Sequence, residues 1–477
     1  FEEPGTLEEV AALAADFFLE HLGRPRGGTG VARRERRARP EVHRAPAEIA
    51  AMVGAAAEPF DALEAAELDG LLERIGDAEV VLLGEASHGT SEFYRMRQRV
   101  TQALVERSGF RIVAAEADWP DAERVDEYVR GRLRNAERPW EAFSRFPTWM
   151  WRNEEVLGFI EWLRGWNDGR DEADRAGFYG LDLYSLYTSV AEVLSYLEAE
   201  DPDLARTART RYGCLAPFEA DPALYGRAVI TQQYRDCEGE AVAMLQALLK
   251  KRMEEAGDRA LFDATQNARV VRDAEQYYRV MFYGSPDAWN LRDTHMMQTL
   301  KAVRAFHGGA KAVVWAHNSH LGDAAATQMG QRGEINVGHL CREAYGDGAY
   351  LVGFGTHAGT VAAAPNWGAP VETMRVRPSH TESYERLCHD SGVPRFVLPL
   401  RHADPELRYE LGHPRLERAI GVVYRPETEL QSHYFAADLP KQFDEYVWFD
   451  ETEAVRLLGR GRAPALPPRH PFRLLAD

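Results

Sequence analysis

The chain has 477 residues, with 57 Lys and Arg against 75 Asp and Glu, a net charge of −18. That balance excludes a general nucleic-acid binder, which needs a basic face to neutralise phosphates. Hydrophobic residues (45%) and aromatic residues (10%) are spread along the chain, and no apolar run nears the roughly 18 residues of a membrane span, so neither disorder nor membrane insertion is expected.

In chain order, residues 7–22 (LEEVAALAADFFLEHL) predict an amphipathic helix. Thr6 serves as N-cap, Glu9 completes a capping box and Gly23 is the C-cap. Residues 24–45 hold eight arginines against Glu35 and Glu41 and almost nothing that could join a core, which predicts a solvated linker. From residue 46 the pattern is mixed α/β. Apolar, β-rich runs fall at residues 79–83 (EVVLL), 111–115 (RIVAA), 178–181 (FYGL), 311–316 (KAVVWA), 349–353 (AYLVG), 395–398 and 419–424. Nearly continuous apolar strands separated by helices predict an α/β fold with a central, mostly parallel sheet. Residues 185–306 are mostly helical and too long for one crossover, so they are expected to form a helical insertion in a domain spanning 46–477. Cys214, Cys237, Cys341 and Cys388 form no CxxC pair. Their scatter argues against a disulfide framework or a thiolate zinc site and fits a reducing, cytoplasmic compartment. The start at Phe1 reads as a processed or truncated boundary.

What ends each run is more informative. The first closes on Gly84-Glu85-Ala86-Ser87-His88-Gly89, the second on Glu116-Ala117-Asp118-Trp119-Pro120 and the third on Asp182. The fourth closes on His317-Asn318-Ser319-His320 and the fifth on Gly355-Thr356-His357. Ligands of open parallel sheets bind outside the carboxyl ends of the strands. Packing alone does not explain repeated charge there, because buried charge is costly. Gly84 and Gly89 permit a tight turn. Glu116 reads equally as an ion-pair partner for an arginine, and Asp118 as the turn that starts a helix near Asp121. Arg95, Arg97 and Arg99 follow the first turn. Arg292 and His295, three residues apart, share a helix face before the fourth strand. A histidine beside carboxylates can take a proton from water, and a second histidine or an arginine can stabilise an oxyanion. The same groups could alternatively hold a divalent metal for metal-dependent hydrolysis, or the cleft could serve a non-catalytic binding module of a fusion protein. Ser87 lies in no GxSxG elbow, and no P-loop or Rossmann glycine pattern is present.

The ordered set VLLGEASHGTSEFYRMR, VAAEADWPDAERVDEYVRG, WNLRDTHM, VVWAHNSHLGD, GFGTHAGTV and IGVVYRPETELQSHYFAADLPKQFDEYVWFDET resembles the erythromycin esterase family over residues 55–460. The resemblance implies an α/β fold and cleavage of a small-molecule ester or lactone by activated water, without a metal or other cofactor. It implies His88 as general base, Glu85 and Glu116 as the acids that orient it or the water, and His317 and Arg292 as further catalytic groups. His320, His357, Asp182 and Arg95 are added as substrate-binding candidates from position. Oligomeric state stays open. Residues 1–23 (FEEPGTLEEV and onward) resemble the last helix of a dienelactone-hydrolase-type α/β hydrolase, which implies a piece of a longer fusion.

Overall fold

Alternation along the strands decides the layering. Val81, Leu83, Val113, Ala115, Val313 and Trp315 point into one core, while Val80, Leu82, Ile112, Ala114, Ala312 and Val314 point into a second. Both faces of the sheet are therefore apolar, as a buried parallel sheet requires. The computed structural model describes residues 44–133, 142–255, 257–282 and 286–458. The expected helix at 7–22 and all of the expected linker except Arg44 and Ala45 lie outside the described residues. The described residues cluster as one unit.

The strands are β1 (Glu58–Pro59), β2 (Val80–Leu83), β3 (Ile112–Asp118), β4 (Gly177–Asp182), β5 (Ala312–Trp315), β6 (Ala349–Ala363), β7 (Glu372–Val376), β8 (Arg395–Pro399), β9 (Arg415–Arg418), β10 (Tyr434–Ala437) and β11 (Glu445–Thr452). The main sheet has the order β1-β8-β11-β6-β2-β5-β3-β4. From β11 to β4 all neighbours run parallel; β8 is antiparallel to β11, and β7 folds back on the far half of β6. Helices cover both faces. Ser91–Arg107 and Glu154–Asn167 supply Phe93, Met96, Val100, Phe159 and Ile160 to the first core. Asp287–Phe306 supplies Met296, Met297, Leu300 and Val303 to the second.

The first six apolar runs each form a strand. The seventh, residues 419–424, does not: it lies across strand ends and makes only the isolated bridges Ser87↔Ile420 and Ala364↔Val423. β6 runs ten residues beyond its expected end, and β11 was not anticipated as a strand. Between β4 and β5 the chain forms the helices Leu186–Glu200, Pro202–Tyr212, Pro222–Ile230, Glu238–Glu254 and Arg259–Val280. These share a core of their own that includes Val190, Val193, Leu197, Leu248 and Val271. Within it the structure corrects the cysteine expectation. Cys214 and Cys237 form a disulfide, because helices that turn back on one another bring them together; Cys341 and Cys388 are free and buried. Among the described residues, no helix is long and apolar enough to cross a membrane.

Candidate active site

Close backbone packing shapes the turn after β2. A Cβ on Gly84 would collide with the Asn318 side chain, and one on Gly89 with the Ala362 carbonyl. The turn is thereby pressed between the ends of β5 and β6, and His88 emerges from it. His88 Nδ1 bonds Glu85 Oε1 at 2.8 Å. The other Glu85 oxygen lies 2.6 Å from a guanidinium nitrogen of Arg97, an ion pair off the directions of a normal hydrogen bond. Arg97 is fully buried, 4.3 Å from the Tyr94 ring centre and 5.1 Å from that of Trp315. A chain of contacts thus fixes the His88 ring and leaves Nε2 for chemistry.

β3 and β4 slip out of register between Ala115 and Asp118, a bulge of the kind that re-aims a side chain beside a functional site. Glu116 sits in that bulge. Its Oε1 accepts from Arg292 at 2.7 Å and its Oε2 from the His317 backbone N–H at 3.0 Å. Burial alone would raise the Glu116 carboxyl. The charges of His320, Arg292 and His88, with the His317 N–H, outweigh it and hold the carboxyl well below the usual range. Arg292 also grips Asp182 with two nitrogens, at 3.0 and 2.7 Å, and reaches His320 Nε2 at 2.9 Å. Burial of Asp182 is likewise outweighed by Arg292, so that carboxyl too is lowered. The guanidinium occupies the place a bound cation would take, between two carboxylates and an imidazole.

His317 caps the short helix Asn318–Leu321: the Ser319 backbone N–H donates to its Nδ1 at 3.2 Å. Nδ1 is therefore an acceptor and the ring proton is assigned to Nε2. Nε2 is buried and makes no hydrogen bond of normal geometry, although the Ala86 carbonyl is close enough to favour its proton slightly. Burial, with His88 beside it, brings His317 down to about 3 against the pull of Glu116, so the ring is neutral at ordinary pH. Its centre is 4.9 Å from that of His88. His320 bonds both Asp293 oxygens at 2.9 Å through Nδ1 and stacks on Trp289. Burial of His320 is outweighed by Asp293 and Glu116, which raise it. Once protonated, Nε2 can no longer accept from Arg292 and turns instead to Glu116, 3.4 Å away.

A cavity of about 290 Å³ brings these groups together. His88, Glu116, Asp182, Arg292, His317 and His320 line its polar side, and Phe143, Phe146, Met150, Trp151 and Trp367 its apolar side. Glu85 stands behind His88. Two expected substrate contacts are not brought to the cavity. Arg95 pairs with Glu64 on the outer side of its helix. His357 bonds Ser379 at 2.7 Å and stacks on His389, because β6 carries it past the cavity. His295 also turns away from Arg292, to Asp273 at 2.6 Å. Ser87 is tied to Thr90 within the turn. Asn318 is structural: its amide binds the Phe354 carbonyl at 2.8 Å and locks β5 to β6. Sequence reasoning named Arg97 without choosing it, and missed Asp293 and Arg145, which lines the cavity and donates through Nε to Asp118 Oδ2 at 2.9 Å. A signal for Arg97 was present, since it falls on the apolar stripe of Phe93, Met96, Val100, Thr101 and Leu104, whereas Arg95 and Arg99 do not.

Known proteins resemble this chain in both sequence and fold. The family model described as erythromycin esterase matches residues 105–452. Erythromycin esterase type II of Escherichia coli is 21% identical over 393 residues, covering 78% of this chain and 88% of that protein. A solved succinoglycan biosynthesis protein superposes with a TM-score of 0.72 at 22% identity, covering 86% of this chain and 98% of that one. An erythromycin esterase, EreC, solved as a mutant in its open conformation, superposes with a TM-score of 0.61 at 17% identity, covering 83% and 98%. These structural likenesses speak to the fold. With the family model spanning most of the sequence, the chain belongs to the erythromycin esterase family.

Proposed function

We propose that this protein is a hydrolase that cleaves a small-molecule ester or lactone with a water activated by His88. One observation carries the reading: two imidazoles face one cavity in complementary states. His88 has Nδ1 occupied by Glu85 and Nε2 free, while His317 is neutral with Nε2–H in no hydrogen bond of normal geometry, only near the Ala86 carbonyl.

The chemistry follows from those atoms. His88 Nε2 takes a proton as the water oxygen attacks the carbonyl carbon, and Glu85, backed by Arg97, stabilises the imidazolium. Charge developing on the carbonyl oxygen is met by His317 Nε2–H, a donor held in place before reaction. When the tetrahedral intermediate collapses, the C–O bond to the leaving group breaks and His88 returns the proton to the departing alkoxide. An acid and an alcohol result, or a hydroxy acid from a lactone. Glu116 is a positioning residue, accepting the His317 backbone N–H and Arg292 at once. The aromatic side of the cavity takes up apolar parts of the substrate.

The test is turnover of a panel of aryl esters and macrolactones by wild type and His88→Ala. Loss of hydrolysis with an unchanged circular dichroism spectrum supports the assignment; undiminished hydrolysis by the variant overturns it.

A further inference from the structure

Four buried oxygens behind the site make no hydrogen bond of normal geometry. They are Glu417 Oε2 on β9, Glu385 Oε2 on the helix Tyr384–Asp390, Gln442 Oε1 on the short helix Leu439–Gln442 and the Tyr446 hydroxyl on β11. None of these residues is more than 1% exposed. They belong together: Glu385 and the Gln442 amide both act on Glu417, and both carboxyls act on the Tyr446 hydroxyl. Were both carboxyls ionised, three of the four oxygens would be acceptors, with the Tyr446 hydroxyl as the one donor among them. Buried acceptors left without donors are costly.

A proton on Glu417 repairs the shortage. Glu385 already has donors and a counter-charge: the Arg418 backbone N–H at 2.7 Å, the Arg418 guanidinium and the nearby Ser383 hydroxyl. Glu417 is in no ion pair among the described residues, and its Oε1 accepts from the Asn318 side chain at 3.2 Å. Burial, with Glu385 beside it, pushes Glu417 up to about 8 against the pull of the Gln442 and Asn318 amides. The other titratable and charged groups around it are Tyr384, on the helix of Glu385, and Arg415 and Arg418 on its own strand. Tyr384 donates to the Leu411 carbonyl at 2.7 Å, and Arg418 turns its side chain to Glu429 and Tyr434.

Glu417 reaches the site by two routes. Its partner Asn318 follows His317 directly and donates its backbone N–H to the Glu85 carbonyl at 2.8 Å. Three residues on from Glu417, the Ile420 backbone N–H donates to the Ala86 carbonyl at 2.8 Å, and Ala419 and Gly421 on either side line the cavity. Glu85 and Ala86 belong to the turn that carries His88, so both routes end there.

We propose that Glu417 is a positioning residue that works as a protonated acid: with its proton it holds Asn318 and residues 419–424 against the His88 turn, and without it this contact opens to water. The proposal uses the hydrolase reading only in calling the cavity of His88 and His317 an active site. Opening hydrates Glu417 and returns its carboxyl to the ordinary value of about 4.3. The closed contact therefore keeps a proton over a span where the opened one has lost it. Its stability is full below the ordinary value and is lost as pH rises toward about 8, by up to roughly tenfold in the opening equilibrium per pH unit.

Hydrogen exchange, read by mass spectrometry on peptides carrying the Asn318 and Ile420 amides, measures that opening. Protection, corrected for the intrinsic pH dependence of exchange, is compared at about pH 6 and about pH 8. Over that span wild type is expected to lose roughly tenfold or more protection beyond what Glu417→Gln loses, since the amide keeps the shape of the acid and has no such proton to release. His320, two residues from Asn318, is the same in both proteins and cancels in the comparison. Peptides of the helix Glu238–Glu254 are the control and should behave alike in both. Glu385→Gln is the second variant: without the neighbouring charge Glu417 ionises more readily, so the loss should level off at lower pH and be smaller than in wild type. No loss in wild type, an equal loss in Glu417→Gln, or the same difference in the control peptides overturns the proposal. Should Glu417→Gln not fold, a loss in Glu385→Gln as large as in wild type overturns it. None of these readings needs turnover. Hydrolysis that survives His88→Ala sinks the catalytic assignment and leaves the exchange result standing, and the converse also holds.

Discussion

Two pairs of histidines lie along the sheet, and they invite different conclusions. His88 and His317 have Nδ1 occupied by Glu85 and Ser319; His357 and His389 have Nδ1 occupied by Ser379 and Asp450. Burial, with a histidine neighbour, lowers one ring of each pair, His317 to about 3 and His357 to about 4. Neither the partners nor the depressed basicity separates them. Orientation does: the first pair is tilted by 52° at 4.9 Å over a cavity, while the second is stacked flat at 3.7 Å and 7°, each ring covering the other's face. Enclosed space between diverging rings, rather than strand-end position, marks the candidate site.

The sharpest break of that comparison is mutational. His88→Ala should lower kcat/KM for an ester by about 10²–10⁴, the usual worth of a general base, while His357→Ala should leave it within about twofold. Equal losses in the two would erase the distinction. Next, Arg292→Met strips two buried carboxylates of their cation and should cost about 3–5 kcal/mol in urea unfolding. His317→Gln should lower kcat by about 10²–10³, as expected on loss of an oxyanion donor. Because His317 is neutral above about pH 3, the acid limb of the pH–rate profile should keep its position in that variant. The smallest effect is on stability against pH. A buried imidazole that stays neutral in the fold gains its proton only on unfolding, so stability should fall as pH drops from about 6.5 toward 3. His317→Gln should flatten that slope more than His357→Ala, since the His357 ring is only half-buried; urea midpoints measured across the range would show it.

Much of this was readable in the chain. The apolar runs of β2 to β6 and the polar groups that close them are local signals, and local signals survive into structure. The runs alone mispredicted residues 419–424, because an apolar stretch becomes a strand only where an extended neighbour is free to pair, and here two strand ends were already occupied. Arg95 was preferred to Arg97 although two residues on a helix point to nearly opposite sides, which the apolar stripe would have resolved. The disulfide and the bulge at Glu116 were not legible. Both depend on segments distant in sequence meeting in space, and spacing does not encode such meetings.

Arg292 also constrains when the site can come into being. It joins Glu116 on β3, Asp182 on β4 and His320 after β5, yet it arrives on the helix Asp287–Phe306, after the five helices between Leu186 and Val280. During synthesis the nascent chain holds both carboxylates long before their counter-charge leaves the ribosome. Until then, ionised carboxylates at those strand ends have to stay hydrated, which keeps that edge of the growing sheet open. Activity should therefore appear late, only once that helix has docked and His317, at the end of the strand that follows it, has joined the site. A single proteolytic nick in the insertion that loosens that helix would silence a site whose other groups lie on β2 to β5.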